Sequence, residues 1–248
     1  MDESLTTTAC SQVTPLSSAL TMERICYPQK TLCSKILSSL RNAGISELCH
    51  IPGQTSYPGI IGKGHSSVIA LAIMDRNIVA VKIRRSDSKR LSFFWEGKRL
   101  SQASTHGATP HPYYYDDYVI VMDYVSGPHL QEYINEAPLQ ALAKSLKAAR
   151  ALDCANILHS ELRRPWKHVR FTESLTHALI LDLESASEGC GNIVKIISGI
   201  FSKDRDGIAF LRSLRNTFRL YVEKCSYNIY EYILEKSLSY MLYKLRRG

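Results

Sequence analysis

The sequence predicts an α+β chain in two halves, strand-rich up to about residue 125 and helical beyond it. Three observations lead there. Two apolar runs, 68–74 and 78–83, flank the polar triplet Asp75-Arg76-Asn77, the pattern of two strands joined by a hairpin turn. Between Asp87 and Ser104 the apolar period changes from that of a strand to that of a helix. From Pro138 onward helical patterning dominates, interrupted by the short apolar run Leu179-Ile180-Leu181. Strands first and helices after is the layout of an α+β protein with two lobes. The predicted boundaries are 1–47 for an N-terminal extension, 48–125 for a β-rich N-lobe and 126–248 for a short α-helical C-lobe.

Taken in order, the residues before about Thr31 read as a polar lead rich in Ser and Thr. Thr31 to Asn42 carries Leu32, Ile36, Leu37 and Leu40 at helical spacing, with Gly44 as its C-terminal stop. From Leu48 to Val125 the chain is strand-like, except that Phe93, Glu96, Leu100 and Ala103 share one helical face. Tyr118 to Val125 is a further β-type run, ended by Ser126-Gly127-Pro128. Pro138 suits the first turn of a helix whose stripe is Leu139, Leu142, Leu146, Ala149 and Leu152. Past Asn192, Phe210, Leu211, Leu214, Phe218 and Tyr221 are core candidates. There is no internal repeat.

A hydrophobic content of 45% over 248 residues is enough to build one large domain or two small lobes. No stretch is long enough for a transmembrane helix, and Met1-Asp2-Glu3-Ser4 opens acidic with no apolar core behind it. No membrane partner and no secretory signal are therefore expected, and the location expected is cytoplasmic. Seven cysteines, at 10, 26, 33, 49, 154, 190 and 225, form no Cys-x-x-Cys pair, which argues against zinc. Their odd number disfavours a complete disulfide framework, so a mostly reduced chain is expected, with one disulfide left open. The formal net charge of +8 suits an anionic partner such as a nucleotide, RNA or the ribosome; a solvated basic surface explains it equally well. The same two readings hold for Arg84, Arg85, Lys89 and Arg90, with the solvated loop favoured, and for the basic end Lys244-Leu245-Arg246-Arg247, read as frayed. Tyr113-Tyr114-Tyr115 is read as packing at the start of a strand rather than a stacking surface.

The chemistry concentrates around Lys82. It sits on the apolar strand Ile78-Val79-Ala80-Val81-Lys82-Ile83, downstream of Ile61-Gly62-Lys63-Gly64-His65-Ser66-Ser67-Val68. Glycines let backbone N–H groups approach phosphate oxygens, and a lysine adds a compact positive charge. On a strand Ala80 and Lys82 face the same way, leaving room for a flat ring beside a cation; a lysine guarding a sheet edge is the competing explanation. Glu96 lies on an apolar helical face, where an unpaired carboxylate costs several kcal/mol. Lys82 is its natural partner, with Lys98 or Arg99 as surface alternatives.

Val79-Ala80-Val81-Lys82 resembles the Val-Ala-Ile-Lys strand of protein kinases, and Glu96 resembles their helix-C glutamate. Gly62-x-Gly64-x-x-Ser67 is similar to their Gly-rich loop, with serine at the third glycine position. Ile120 to Gly127 resembles the hinge between kinase lobes, which implies adenine contacts from the backbone of Asp123 and Val125. His159-Ser160-Glu161-Leu162 is similar to the catalytic loop, and Leu179 to Glu184 to the metal-binding Asp-Phe-Gly strand, which implies Mg²⁺ on Asp182. The resemblance covers about Ile60 to Ser187. The short C-terminal part looks like the atypical kinases of the RIO group and the small kinase of the KEOPS complex. The stretch from His159 to His168 further resembles a small archaeal set of predicted Ser/Thr kinases.

Two residues depart from that pattern. Glu161 stands at the catalytic aspartate and Trp166 at the metal-binding asparagine. A positioned base contributes about 10²–10⁴-fold, whereas most phosphoryl-transfer catalysis is positioning and charge neutralisation, so a glutamate slows transfer without abolishing it. The tryptophan removes a metal ligand. Lys167 or His168 neutralising phosphate in its place is weighed against a plain basic turn, which is favoured; Glu184 is balanced between extra metal ligand and salt bridge. His159 is expected to brace the loop rather than react. The resemblance thus implies an ATP- and Mg²⁺-dependent phosphotransferase, an atypical Ser/Thr protein kinase acting on an unknown protein, or an ATPase switch. Gly62, Gly64, Ser67, Ala80 and Lys82 would hold the nucleotide, Glu96 would orient Lys82, and Glu161 would take the proton. The alternatives are a nucleotide-binding pseudokinase scaffold, suggested by Trp166, and an RNA- or ribosome-associated module, suggested by the charge.

Overall fold

The computed structural model describes residues 10–247. They form an α+β protein whose strand pairs are all antiparallel among the described residues. The chain groups into two compact units, one reaching to Lys98 and including His111–Tyr124, the other made of Arg99–Pro110 and everything from Val125.

The first unit carries β1 (Gln12–Pro15), α1 (Ala19–Ile25), α2 (Cys33–Asn42), β2 (Glu47–His50), β3 (Ile60–Lys63), β4 (Ser67–Met74) and β5 (Asn77–Arg84). The first turn of α3 (Phe94–Ser104), β6 (Pro112–Tyr115) and β7 (Val119–Asp123) complete it. The sheet runs β1-β2-β4-β5-β7-β6, with β3 also paired to β4. The β4–β5 hairpin forms where the apolar runs place it: Met74 faces Asn77, and Asp75 and Arg76 turn the chain at φ 47° and 68°. Positive φ at both central positions matches the right-handed twist of the two strands.

Strand alternation divides β5 between two cores. Val79, Val81 and Ile83 join Val68, Ala70, Ala72, Val119 and Val121 on one face, where Leu16, Ile25, Ile36 and Leu40 cover them. Ala80 lies on the other face with Cys49, Ile51 and Leu71. The segment read as a polar lead therefore contributes a strand and a helix, and Leu16 and Ile25 sit inside at 3% and 0% exposure. Each such side chain stabilises the fold by about 1.5–3 kcal/mol. The α2 helix ends as expected, with Gly44 at φ +76°.

The expectation of a mostly reduced chain is overturned. Cys10 pairs with Cys49, Cys26 with Cys33 and Cys190 with Cys225, at Cα separations of 5.6, 5.1 and 6.1 Å, and Cys154 is free. All three separations fall in the disulfide range. The antiparallel pairing of β1 with β2 brings Cys10 to Cys49, a closeness that no local spacing rule reveals.

The second unit carries α4 (Leu130–Glu136), α5 (Pro138–Cys154), β8 (Ile157–Leu158), β9 (Val169–Phe171), β10 (Ala178–Ile180) and β11 (Ser187–Glu188). After these come α6 (Asn192–Phe201), α7 (Arg205–Ser213), α8 (Arg215–Lys224) and α9 (Tyr227–Leu245). Pro138 opens α5, and Leu142, Leu146, Ala149 and Leu152 are buried along it. Near its end Asp153, 3% exposed, accepts from Gly191 N, Asn192 N, Asn192 Nδ2 and the Tyr221 hydroxyl at 2.7–2.9 Å. One carboxylate thereby fastens α5 to the start of α6 and to α8; burial still pushes its pKa up. Of the basic end, Lys244 on α9 pairs with Asp204, the N-cap of α7, while Arg246 and Arg247 follow the helix and are exposed. No helix of the described residues is long and apolar enough to cross a membrane.

Candidate functional site

Lys82 and Glu96 meet inside the first unit. The ammonium donates to Glu96 Oε1 at 2.7 Å and Oε2 at 2.9 Å, and the two side chains are only 6% and 4% exposed. Strand β5 places Lys82 on the Ala80 face, opposite Ile120 of β7 in register. The first turn of α3 supplies Glu96, and the ring of Phe93 lies 5.4 Å from the ammonium. A desolvated pair of this kind is maintained by its mutual attraction and its hydrogen bonds, and loses 3–5 kcal/mol when one partner is removed. The surface alternative is not taken up, since Lys98 rests on the Trp95 ring.

The glycine-bearing stretch is the tip of the β3–β4 hairpin. Lys63 pairs with Val68, and Gly64 N–H donates to Ser67 O at 2.8 Å. A Cβ added at Gly62 would meet nothing within 4 Å, so no protein atom demands glycine there. Ser67 is not at the open tip: it is buried on β4 opposite Arg84. Asp123 has its backbone N–H donated to His111 O at 3.0 Å, and its carboxylate accepts from His111 N–H and the Tyr113 hydroxyl. Its backbone N–H is therefore not available for the adenine contact that the resemblance implied. Val125 falls in the second unit and is 7% exposed.

Of the basic run after Lys82, Arg84 is buried and Arg85 is held by hydrogen bonds, which corrects the solvated-loop reading for those two, while Lys89 is exposed as that reading expected. Arg84 is buried, donates to Arg90 O and Leu91 O, and stands over the Tyr118 ring. Arg85 binds both carboxylate oxygens of Asp87 at 2.7–2.8 Å and donates to Gly64 O at 2.7 Å. The hydrogen bonds between them, aided by their opposite charges, hold Asp87 below the usual carboxylate range and raise Arg85. Tyr115 packs against Gly97 and Phe94, as expected for a strand-borne aromatic.

In the second unit His159 is 1% exposed and braces its loop. Its Nδ1 accepts the Glu161 N–H at 3.1 Å and its Nε2 meets Leu181 O at 3.2 Å, so the neutral tautomer with the proton on Nε2 satisfies both. Burial, reinforced by nearby His168, pushes its pKa down to about 4. The Glu161 side chain stays largely exposed, with His168 Nε2 at 3.5 Å and the Ser185 hydroxyl at 3.5 Å. His168, read as part of a basic surface turn, is instead 7% exposed and packs edge-on against His159 at 4.8 Å between centroids. Lys195 Nζ donates to His159 O at 2.8 Å, and its pKa is lowered by burial.

Asp182 follows β10 in the left-handed conformation, φ 65° and ψ 72°, and is exposed; Glu184 sits in the short helical turn behind it. Trp166 lies in the turn Pro165–Lys167 with Lys203 Nζ 4.2 Å from its ring. With His129, Gln131, Glu132, Asn135 and Lys167 it lines an open cavity of about 590 Å³. The sequence reading passed over Lys195, which no motif marked, whereas Arg85 and His168 were singled out there as a solvated loop and a basic turn.

In comparisons with known proteins, no protein-family model matches the chain and no curated protein is significantly similar to it.

Proposed function

We propose that the chain is an ATP- and Mg²⁺-dependent phosphotransferase with a two-lobed, protein-kinase-like fold, acting on a Ser or Thr hydroxyl of a protein. The observation that carries this reading is the buried Lys82–Glu96 pair. A lysine placed inside an apolar sheet face would serve to receive an anion, and a carboxylate holding it from α3 fixes where its Nζ points. The vacant space over Gly62 supports the reading, because a side chain there is excluded by no neighbour and its lack leaves backbone open to a phosphate.

ATP would supply the phosphoryl group and Mg²⁺ would offset its charge. Gly62 and Gly64 would offer backbone N–H groups and Lys82 its ammonium, oriented by Glu96, while Ala80 would leave room for the base. In the second unit Asp182 would hold the metal and Glu161 would accept the proton of the attacking hydroxyl. His168 Nε2 lies 3.5 Å from that carboxylate, and His159 holds the Glu161 backbone N–H. A cytoplasmic location stays part of this proposal only for a cell whose interior tolerates disulfides, as in hyperthermophiles. A nucleotide-binding scaffold without transfer is the second reading, favoured by Trp166: its ring meets Lys203, so it replaces no metal ligand.

Melting with and without Mg-ATP tests the reading. Saturation at about 100 times the dissociation constant adds roughly 2.7 kcal/mol, a rise of about 5–10 °C for a chain of this size. Asp182→Asn, which keeps a residue suited to the left-handed conformation there, should fold normally and lose phosphate release. A rise in Tm without turnover selects the scaffold. No rise, together with salt-sensitive RNA binding, selects the nucleic-acid module and sinks the proposal.

A further inference from the structure

At the tip of the β3–β4 hairpin Lys63, Gly64 and His65 are exposed, and a hydrogen bond from Gly64 N–H to Ser67 O closes the turn. Further restraints come from a segment far away in sequence. Tyr27 places its ring 4.0 Å from Lys63 Nζ and 4.8 Å from Arg85 Cζ. Arg85 in turn donates from Nη1 to Gly64 O at 2.7 Å and from its backbone N–H to Ser66 O at 3.0 Å. The Tyr27 segment is itself tied down next to Arg85, where Ser86 N–H donates to Tyr27 O at 3.1 Å and Gln29 N–H to the Ser86 hydroxyl at 2.9 Å. The Cys26–Cys33 disulfide brackets this segment, and Cys26 is 2% exposed. Both ends of the segment are thus anchored, with the aromatic ring presented between them.

We propose that Tyr27 is a positioning residue for the glycine-bearing tip, acting through Lys63 and Arg85 and held in place by the Cys26–Cys33 disulfide. The role in nucleotide binding rests on the reading above that this tip receives phosphates. Two cations on one aromatic ring bias the tip toward its ordered state by about tenfold. A tip ordered in advance loses less freedom on binding, so the bias carries over into affinity.

Hydrogen–deuterium exchange of the full chain reads the tip without any nucleotide. Tyr27→Leu should speed exchange across residues 60–68 about tenfold and leave 78–83 unchanged. The Cys26→Ser/Cys33→Ser variant should do the same, and Tyr27→Phe, which keeps the ring, should match the parent. Lys63→Gln, at an exposed position, provides the same test should Tyr27→Leu fail to fold, with a rise of about threefold expected. In titration with Mg-ATP, Tyr27→Leu should weaken affinity about tenfold and Tyr27→Phe should restore it. Unchanged exchange at the tip in Tyr27→Leu, or a Tyr27→Phe as loose as Tyr27→Leu, overturns the positioning role. So does unchanged affinity in a variant whose tip has loosened. If the tip loosens as expected but the parent chain binds no nucleotide, the positioning role stands and the phosphate reading fails.

Discussion

Lys82 and Glu96 are each a liability without the other. Lys82→Ala leaves a carboxylate 4% exposed with its ammonium gone, and should destabilise the chain by about 3–5 kcal/mol. Lys82→Met with Glu96→Leu replaces both charges by apolar groups of similar size and should recover most of that loss. Urea denaturation of the parent, both single variants and the double variant measures this directly; additive losses would show that the two residues do not act as a pair. His159 gives a second prediction at this scale. Its pKa near 4 in the fold lies below the value of about 6.5 expected when unfolded. Between these values the unfolded chain binds a proton that the native one refuses. The stabilising contribution is complete above pH 6.5, falls as pH drops, and levels off below about 4, for a total of roughly 3 kcal/mol. Denaturation curves at pH 7 and pH 4.5 should diverge less for His159→Gln than for the parent. Equal divergence would mean that this imidazole is not the group responsible.

Elements were legible where length and patterning agreed. The β4–β5 hairpin, α2, α3 and α5 lie where the apolar periods put them, because each carries its apolar pattern over eight or more residues. The strand β1 and helix α1 were missed, since four and seven residues hold too few apolar positions to establish a period. Their burial is decided by tertiary contact with β2 and with the odd-numbered face of β5. Lys82 and Glu96 were legible together because an apolar helix face with one carboxylate asks for a cation. Tyr27, 55 positions before Lys82 in a segment without motif, asked for nothing. One close approach between elements was equally invisible. At Gly97 on α3 a Cβ would overlap the ring of Tyr115 on β6. Alanine gains up to about 1 kcal/mol in helix propensity, but overpacking against a ring costs about 1–3 kcal/mol, so the clash should win. Gly97→Ala should lower Tm, and Tyr115→Ser in the same chain should reverse the loss. A rise in Tm for Gly97→Ala alone would show that the ring yields freely.

For the whole molecule the cysteines and the charge matter more than any motif. Counting residues gave an odd set of seven and a reduced interior; geometry pairs six and leaves Cys154 exposed. The charge of +8 fitted a surface for anionic partners and a solvated one equally, yet Lys82 and Arg84 spend theirs inside the fold. Disulfides act mainly on the unfolded chain, more strongly when they close longer loops. With separations of 39 and 35 residues, Cys10–Cys49 and Cys190–Cys225 should each contribute roughly 4 kcal/mol on the chain-entropy estimate, and Cys26–Cys33, at 7, roughly 2 kcal/mol. Iodoacetamide applied to the native chain should therefore modify Cys154 alone, with the other six reacting only after reduction under denaturing conditions. The reduced and alkylated chain should melt about 10 °C or more below the oxidised one. Labelling of Cys10, Cys26 or Cys190 in the unreduced native chain would show that the paired cysteines are thiols. It would return the molecule to the reduced state that its composition suggested.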